Sequence, residues 1–212
     1  PIAYITGYKE FWKSIFKVDK NVLIPRPDTE TIIEQVLKEL DIYSSKKILD
    51  IGTGSGCILI SILNERKRCF GVGVDISKNA VKLAKYNAKI QHIDNRIKFF
   101  NSDIDNFYTG KYDLIISNPP YIKHHKINGL EKDIKNHEPK VALDGGIDGY
   151  NKIRLIIKKS STLIKKRGKL FLELGINQTK ETLKILNLHG FYKTKVIKDL
   201  ASKNRCIIST KI

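Results

Sequence analysis

The alternation of short strand-like runs with longer helical patterns, which starts at Lys46, most constrains the fold of this chain. It predicts a parallel sheet, because parallel strands need crossover connections, which are usually helices. Runs rich in β-branched residues are predicted as strands at 46–51, 69–75, 96–101, 112–117 and 168–175. The patterns between them are predicted as helices at 55–67, 77–91 and 149–166.

The last part of the chain departs from this alternation. A helix around 178–188 is followed by two predicted strands, 191–198 and 205–211, joined by too few residues for a crossover helix. These two strands must therefore pair antiparallel. A mostly parallel sheet that ends in an antiparallel hairpin distinguishes the class I methyltransferase fold from an ordinary dinucleotide-binding fold. We predict an α/β, Rossmann-like fold with seven strands in one sheet.

The residues before this sheet are predicted to form a smaller region. Residues 9–18 look like a small β-hairpin, and Pro27 opens a helix whose first acidic residues complement the helix dipole. We expect a hairpin and linker region at 1–26 and a catalytic domain at 27–212. Because the chain begins at Pro1 and contains no methionine, we also expect it to be a fragment.

Composition restricts the class of protein. A chain of 212 residues with 41% hydrophobic residues can bury one core, which favours a single α/β domain. No apolar run approaches the roughly 20 residues that span a bilayer, and the start lacks a signal-peptide pattern, so we expect a soluble protein without a membrane partner. The cysteines, Cys57, Cys69 and Cys206, form no Cys-x-x-Cys pair, which favours a reducing cytoplasm and no zinc site.

The net charge of +17 has two interpretations. A lysine-rich surface attracts polyanions, which would fit proximity to RNA or to the ribosome. The lysines are also scattered along the whole chain among many Ile and Asn residues, which would fit a compositional bias of the source. The sequence leaves both interpretations open.

A glycine-rich turn follows the first predicted strand of the parallel sheet, and it predicts a cofactor site. Glycine lets the backbone turn sharply and approach a ligand. Asp75 ends the next strand at about the 20-residue distance expected of a carboxylate that accepts hydrogen bonds from a ribose diol. The predicted cofactor-binding residues of the turn are Gly52, Thr53, Gly54, Ser55 and Gly56.

The same region indicates what the cofactor contains. The turn lacks the Lys-Ser/Thr of a phosphate-binding loop and the spacing of the dinucleotide fingerprint, which favours a ligand without phosphates. Ser102 and Asp103 follow the third strand, where Asp103 could accept a hydrogen bond from an adenine amino group and Ile104 could pack on the ring. Asp103 could instead cap a turn.

The segment Asn118-Pro-Pro-Tyr121 follows the fourth strand, at the carboxyl edge where open α/β sheets bind ligands. An amide or exocyclic amino nitrogen is a poor nucleophile, because its lone pair is delocalised. The Asn118 side-chain oxygen and the Pro119 carbonyl could each accept one N–H of such a group, while Tyr121 could offer an aromatic face. This arrangement predicts N-methylation that depends on positioning and needs no strong general base.

That segment is shared by methyltransferases that act on adenine, cytosine, guanine or protein glutamine, so other stretches must choose among them. Three further stretches resemble the HemK/PrmC family in order and spacing. They are Pro1-Ile-Ala-Tyr-Ile-Thr-Gly7 with Glu10-Phe-Trp12, Leu23-Ile-Pro-Arg-Pro-Asp-Thr-Glu30, and Glu138-Pro-Lys-Val-Ala-Leu-Asp-Gly-Gly-Ile-Asp-Gly149. The resemblance covers essentially the whole chain.

The resemblance implies S-adenosylmethionine as cofactor and, as partners, class-1 peptide chain release factors, methylated on the glutamine of their Gly-Gly-Gln loop. It implies that 52–56, Asp75 and Asn118 hold the cofactor and that 118–121, including Pro120, hold the glutamine. Family members also carry an N-terminal helical domain, and we expect this sequence to start just after the place where that domain would end. Some relatives have an aromatic residue where this chain has Ile104.

For several polar residues, the sequence leaves more than one interpretation open. Arg26, between two prolines, could face the active site and bind substrate or could dock the hairpin, whereas a capping role explains Glu30. Glu173 could be a paired structural carboxylate or an acceptor behind the site. His124 and His125 are interpreted as loop residues.

Two rival functions differ in class from a protein methyltransferase. A nucleic-acid amino methyltransferase would flip a base into the same pocket, but the chain lacks a target-recognition domain and a concentrated basic patch. A non-catalytic module would need neither the glycine-rich turn nor a complete Asn118-Pro-Pro-Tyr121 segment.

Overall fold

A computed structural model describes residues 1–212, and its main feature is a seven-stranded sheet with the order β5-β4-β3-β6-β7-β9-β8. The strands are β3 Lys47–Ile51, β4 Phe70–Asp75, β5 Ile97–Asn101, β6 Tyr112–Ser117, β7 Ile164–Glu173, β8 Phe191–Lys198 and β9 Asn204–Lys211. The five strands β3 to β7 pair parallel with one another. Strand β9 pairs antiparallel with both β7 and β8. The predicted mostly parallel sheet with an antiparallel end is confirmed.

The chain forms seven α-helices, five of which pack on the two faces of this sheet. They are α1 Ile2–Thr6, α2 Glu30–Glu39, α3 Cys57–Glu65, α4 Lys78–Ile90, α5 Lys132–His137, α6 Asn151–Leu163 and α7 Thr179–Leu188. One core cluster joins α2, α3 and α4 to the face of the sheet that carries Ile48, and a second joins α6 and α7 to the face that carries Leu49. Adjacent strand residues thus enter opposite cores, as the two-residue period of a strand requires.

The predicted N-terminal hairpin is present as β1 Tyr8–Phe11 and β2 Ser14–Lys17. Asn87 on α4 binds it, because the Asn87 side chain accepts from the Lys17 amide at 2.9 Å and donates to the Lys17 carbonyl at 3.0 Å. On the opposite side, the Glu30 carboxylate accepts from the Trp12 amide at 2.7 Å. Glu30 therefore docks the hairpin, a contact that the capping interpretation missed. The domain boundary after residue 26 stays a prediction.

The structure corrects one helix boundary. The helix predicted at 149–166 ends at Leu163, and β7 begins at the next residue. Pairing between β6 and β7 is irregular there, and Arg167 adopts a left-handed φ of 63°. The basic run before Gly168 looked helical by composition, but pairing with the neighbouring strand overrides local propensity.

The helices of this protein are short or amphipathic, and none has both the length and the apolar character needed to cross a membrane.

Candidate active site

A cavity of about 170 Å³ opens beside the carboxyl ends of β3, β4 and β6. This is the edge at which α/β sheets of this type bind ligands. Most of the predicted site residues line it: Arg26, Gly52, Thr53, Gly54, Ser55, Asp75, Asp103, Ile104, Asn118, Pro119 and Pro120. Gly56 and Tyr121 do not line the cavity.

The glycine-rich turn uses its three glycines in two different ways. Gly52 and Gly54 have φ values of 74° and 56°, and a Cβ added to either would meet no atom within 4 Å. Both therefore leave open space for a ligand while allowing a left-handed backbone. Gly56 also has positive φ, but its Cβ would lie 2.9 Å from the Ile60 side chain. Gly56 thus serves close packing inside the protein.

Asp75 connects the turn to the end of β4. One carboxylate oxygen accepts from the Gly54 amide and the other from the Ser77 amide, each at 2.9 Å. Burial raises the pKa of Asp75, and the two backbone hydrogen bonds oppose that rise. A carboxylate can accept more than two hydrogen bonds, so Asp75 keeps acceptor capacity at the cavity edge for a diol. The geometry fits the ribose of S-adenosylmethionine.

Asp103 both caps a turn and reaches the cavity. Its Oδ1 accepts from the Asp105 amide at 3.1 Å, at the start of a short 3-10 helix over Ile104–Asn106. Ile104 is buried and lines the same part of the cavity. The turn-cap interpretation of Asp103 is therefore correct, and its contact with an adenine amino group stays a prediction.

Asp50 carries a role that the sequence interpretation did not assign. Its carboxylate is fully buried and accepts from the Thr53 hydroxyl at 2.7 Å, which braces the glycine-rich turn from inside. Burial is the main cause that raises its pKa to about 7, and the Thr53 hydrogen bond opposes the rise. The sequence could have predicted this role, because an acidic residue near the end of an apolar strand is buried and requires a hydrogen-bond partner.

Asn118 lies at the end of β6 with its side chain oriented by a distant residue. Its Nδ2 donates to the Thr29 hydroxyl oxygen at 3.2 Å. This bond uses one of the two N–H donors of the amide and leaves the acceptor capacity of Oδ1 unused, and Asn118 lines the cavity. Thr29 is buried and also lines the cavity. Thr29 lies within one of the family-like stretches, but the sequence predicted no role for it.

Tyr121 is packed closely against two glycines. A Cβ on Gly145 would lie 2.9 Å from the Tyr121 Cα, and one on Gly175 would lie 2.8 Å from its ring. The Tyr121 hydroxyl donates to Glu173 Oε1 at 3.4 Å. Burial is the first cause that raises the Tyr121 pKa to about 12, followed by the charge of Glu173. The ring is thus held in place by small neighbours and one carboxylate.

Arg26, which lines the cavity, connects the family-like stretch 23–30 to the family-like stretch 138–149. Its guanidinium contacts Glu138 Oε1 at 2.5 Å, and the side chains are 39% and 1% exposed, respectively. Burial raises the pKa of Glu138, and Arg26 opposes that rise. Arg26 therefore faces the cavity and binds a segment other than the hairpin. The loop interpretation of His124 and His125 is wrong, because both residues begin a 3-10 helix over His124–Gly129, where His124 Nδ1 contacts Asp144 at 2.6 Å.

Comparison with known proteins agrees with this arrangement. Residues 27–141 match the family described as Methyltransferase small domain. The release factor glutamine methyltransferase of Caulobacter vibrioides is 35% identical over 212 residues, which cover 100% of this chain and 73% of that protein. The protein of the same name from Rhodospirillum rubrum is 36% identical, over 99% of this chain and 64% of its own length.

Solved structures share the fold at much lower sequence identity. The hMettl16 catalytic domain, solved with a MAT2A 3'UTR hairpin, matches with a TM-score of 0.74 at 17% identity, over 93% of this chain and 75% of that one. At this low sequence identity, the match shows only a shared fold, which is that of a methyltransferase. The similarity to the Caulobacter protein extends over the whole chain, and the chain therefore belongs to the release factor glutamine methyltransferase family.

Proposed function

We propose that this chain transfers a methyl group from S-adenosylmethionine to the side-chain amide nitrogen of the glutamine in the Gly-Gly-Gln loop of class-1 peptide chain release factors. One observation carries the proposal: Asn118, whose amide nitrogen donates to Thr29, lines the same cavity as the glycine-rich turn. Names of whole-chain relatives support the substrate.

The cofactor would lie along the turn formed by 52–55. Gly52 and Gly54 leave room for it, and Asp75 would accept hydrogen bonds from its ribose. Asp103 and Ile104 would contact the adenine, and Asn118 would contact the cofactor beside the substrate. S-adenosylmethionine supplies a methyl group made electrophilic by a positively charged sulfur.

The glutamine amide would be oriented by two acceptors. Asn118 Oδ1 and the Pro119 carbonyl would each take one N–H, which turns the nitrogen lone pair toward the methyl group and favours positive charge on nitrogen. The proton leaves after the new bond forms, so no strong base is required. Positioning of this kind can contribute about 7 to 11 kcal/mol to catalysis.

Tyr121 would offer its aromatic face to the planar amide of the glutamine. Its position is fixed by close packing against Gly145 and Gly175. Arg26, which lines the cavity, would contact the substrate loop, and Glu138 would hold it there. In this proposal residues 27–212 form the catalytic domain and 1–26 a hairpin and linker region.

The proposal is tested by methyl transfer from labelled S-adenosylmethionine to a purified release factor. A Gln→Ala variant of its Gly-Gly-Gln loop, bulk RNA and bulk DNA serve as the alternative acceptors. We expect label on the wild-type release factor alone. Label on nucleic acid alone would replace the proposal by a nucleic-acid amino methyltransferase, and would favour the polyanion interpretation of the net charge of +17.

A further inference from the structure

The edge of the sheet opposite the cavity is formed by the segments at the amino ends of four adjacent strands, β4, β3, β6 and β7. These segments are 40–46, 66–69, 107–111 and 164–168, and we call them together the amino edge. The strand starts lie nearly side by side, because Lys47 pairs with Phe70 and Tyr112 pairs with Ile164. Adjacent strands are about 4.8 Å apart, so the four starts extend over roughly 15 Å.

Folding concentrates positive charge on the amino edge, although no basic patch was predicted from the sequence. The four segments contain eight Lys or Arg residues and one acidic residue, Asp41. Residues 118–150, on the cavity side, contain five Lys residues and five Asp or Glu residues. A uniform compositional bias would raise the charge of both regions. The excess at the amino edge therefore favours a polyanionic partner.

Most of these basic side chains are available to a partner. The exposed ones that form no ion pair with a carboxylate are Lys46, Lys67, Arg68, Lys111, Lys166 and Arg167. Successive side chains of a regular strand point to opposite faces, yet 165–167 are all exposed. Pairing between β6 and β7 is irregular there, and such irregularities redirect side chains.

Exposed aromatic side chains lie among these charges. Tyr43, Phe70 and Tyr108 are 68%, 53% and 77% exposed, respectively. The Arg68 guanidinium lies 5.5 Å from the centre of the Tyr43 ring. Proteins that bind single-stranded nucleic acids combine basic groups for the phosphates with aromatic rings and Arg planes on which bases stack. An acidic protein partner would need the charges but not the exposed rings.

Exposed hydroxyl groups at the same edge favour RNA over DNA. Ser45 lies beside Lys46, and Thr109 lies beside Tyr108, and both Ser45 and Thr109 are exposed. The 2′-hydroxyl of RNA both donates and accepts hydrogen bonds, and protein contacts to it distinguish RNA from DNA. The amino edge thus offers partners for phosphate, base and 2′-hydroxyl.

We propose that the amino edge binds single-stranded RNA, with its Lys and Arg residues on phosphates and with Tyr43 and Phe70 stacked on bases. The cavity lies at the opposite ends of the same strands, roughly 16 Å away along a five-residue strand such as β3. A base that stacks on Tyr43 is therefore out of reach of Asn118. The RNA is a binding partner and not a methyl acceptor, so this inference goes beyond the proposed function and does not depend on it.

The first test measures the charges, by fluorescence anisotropy with a labelled polyuridylate of about twelve nucleotides. The double variant Lys166→Gln with Arg167→Gln should raise the RNA Kd about tenfold to thirtyfold at about 0.1 M salt. It should also reduce the slope of log Kd against log salt by about 1.4, because each phosphate contact on a single strand contributes about 0.7.

The matched control is Lys82→Gln with Lys85→Gln, which removes the same charge from the exposed face of α4. Its RNA Kd should stay within about twofold of wild type, because charges outside the amino edge are screened by salt. An equal loss in the two double variants would overturn the proposal, since it would indicate attraction by net charge alone. Thermal melting followed by circular dichroism checks that each variant is folded.

The second test measures stacking. Tyr43→Ala should raise the RNA Kd about fivefold or more and leave the salt slope unchanged. Tyr86→Ala is the matched control, because Tyr86 is 42% exposed and has Lys17 at 4.7 Å from its ring centre, but lies on α4 outside the amino edge. Unchanged Kd in Tyr43→Ala, with polyglutamate bound as tightly as RNA, would overturn the proposal in favour of an acidic protein surface.

Two further arms fix the identity and the place of the ligand. An oligodeoxyuridylate of the same length should bind more weakly than the RNA, and equal binding would overturn the assignment to RNA. Saturating S-adenosylmethionine should leave the RNA Kd unchanged, whereas competition would place the RNA in the cavity and refute the amino edge. Binding is measured without methyl transfer, so a wild-type protein that binds RNA in this way but methylates no release factor would refute only the proposed function.

Discussion

The two sides of the cavity are built from different parts of the chain. On the cofactor side, the key hydrogen bond joins Gly54 and Asp75, which are 21 residues apart. On the substrate side, Asn118 is oriented by Thr29, which is 89 residues away. The first contact lies within one strand-helix-strand unit, whereas the second joins the segment before β3 to the end of the central strand β6.

The ion pair between Arg26 and Glu138 is a second long-range contact, because the two residues are 112 residues apart. Long-range contacts form only when the intervening chain is ordered, and closing that chain costs conformational entropy. The cofactor side therefore follows from local sequence, while the substrate side depends on the whole fold. Variants on the two sides should separate cofactor binding from turnover.

The largest separation is expected from Asn118→Ala. Loss of the acceptor oxygen should lower kcat on the order of 10²- to 10³-fold, by analogy with removal of one aligned hydrogen-bonding group. Cofactor affinity should change only modestly, since the turn over 52–55 is intact. Single-turnover methyl transfer and calorimetric titration measure the two quantities. Retained turnover would contradict the role assigned to Asn118.

Asp75→Ala should produce the opposite pattern. A hydrogen bond to a charged group contributes about 1.5 to 3 kcal/mol, so the dissociation constant for S-adenosylmethionine should rise about tenfold to a hundredfold. At saturating cofactor, kcat should return close to the wild-type value. Titration of both proteins checks this, and an unchanged dissociation constant would refute the ribose contact.

Glu138→Gln should act on the protein substrate. The substitution removes the negative charge that holds the Arg26 guanidinium in place. Because Arg26 would contact the substrate loop, KM for the release factor should rise about threefold to tenfold. Glu181→Gln is the matched control, since it removes an exposed pair with Lys184 at 3.1 Å on α7. Steady-state kinetics with both variants give the comparison, and equal KM values would exclude a role of the pair in substrate binding.

The smallest expected effect concerns stability and pH. Burial is the main cause that raises the pKa of Glu173 from 4.5 to about 7, so the folded state binds this proton more tightly than the unfolded state. The resulting stabilisation is complete below about pH 4.5 and is lost as the pH rises through about 7. Glu173→Gln lacks this titration.

The free energy of unfolding of Glu173→Gln, relative to wild type, should therefore increase between about pH 5 and pH 8. The slope cannot exceed about 1.4 kcal/mol per pH unit for one group. Urea unfolding of both proteins at several pH values measures this difference, to which Asp50 contributes equally in each. A difference that stays constant with pH would show that Glu173 does not titrate as its burial implies.

Most of the sheet could be predicted because its strands carry runs of β-branched or aromatic residues, which are nearly continuous in the central strands β3 and β6. β6 over Tyr112–Ser117 and β8 over Phe191–Lys198 agree with the predicted bounds. The prediction failed at 164–166, where a basic run continues the helical composition but pairs as the start of β7. The short helix α5 was also missed, because it is only six residues long and buries none of them.

The sequence by itself determined the chemistry of the site, since the glycine-rich turn, Asp75 and Asn118 are recognisable by residue type and spacing along single strand ends. Only the tertiary structure decided which groups act together. It placed the Thr29 hydroxyl against the Asn118 amide and the Tyr121 hydroxyl against Glu173. Sequence spacing carries local geometry, whereas contacts between segments far apart in the chain are fixed by packing of the whole sheet and its helices.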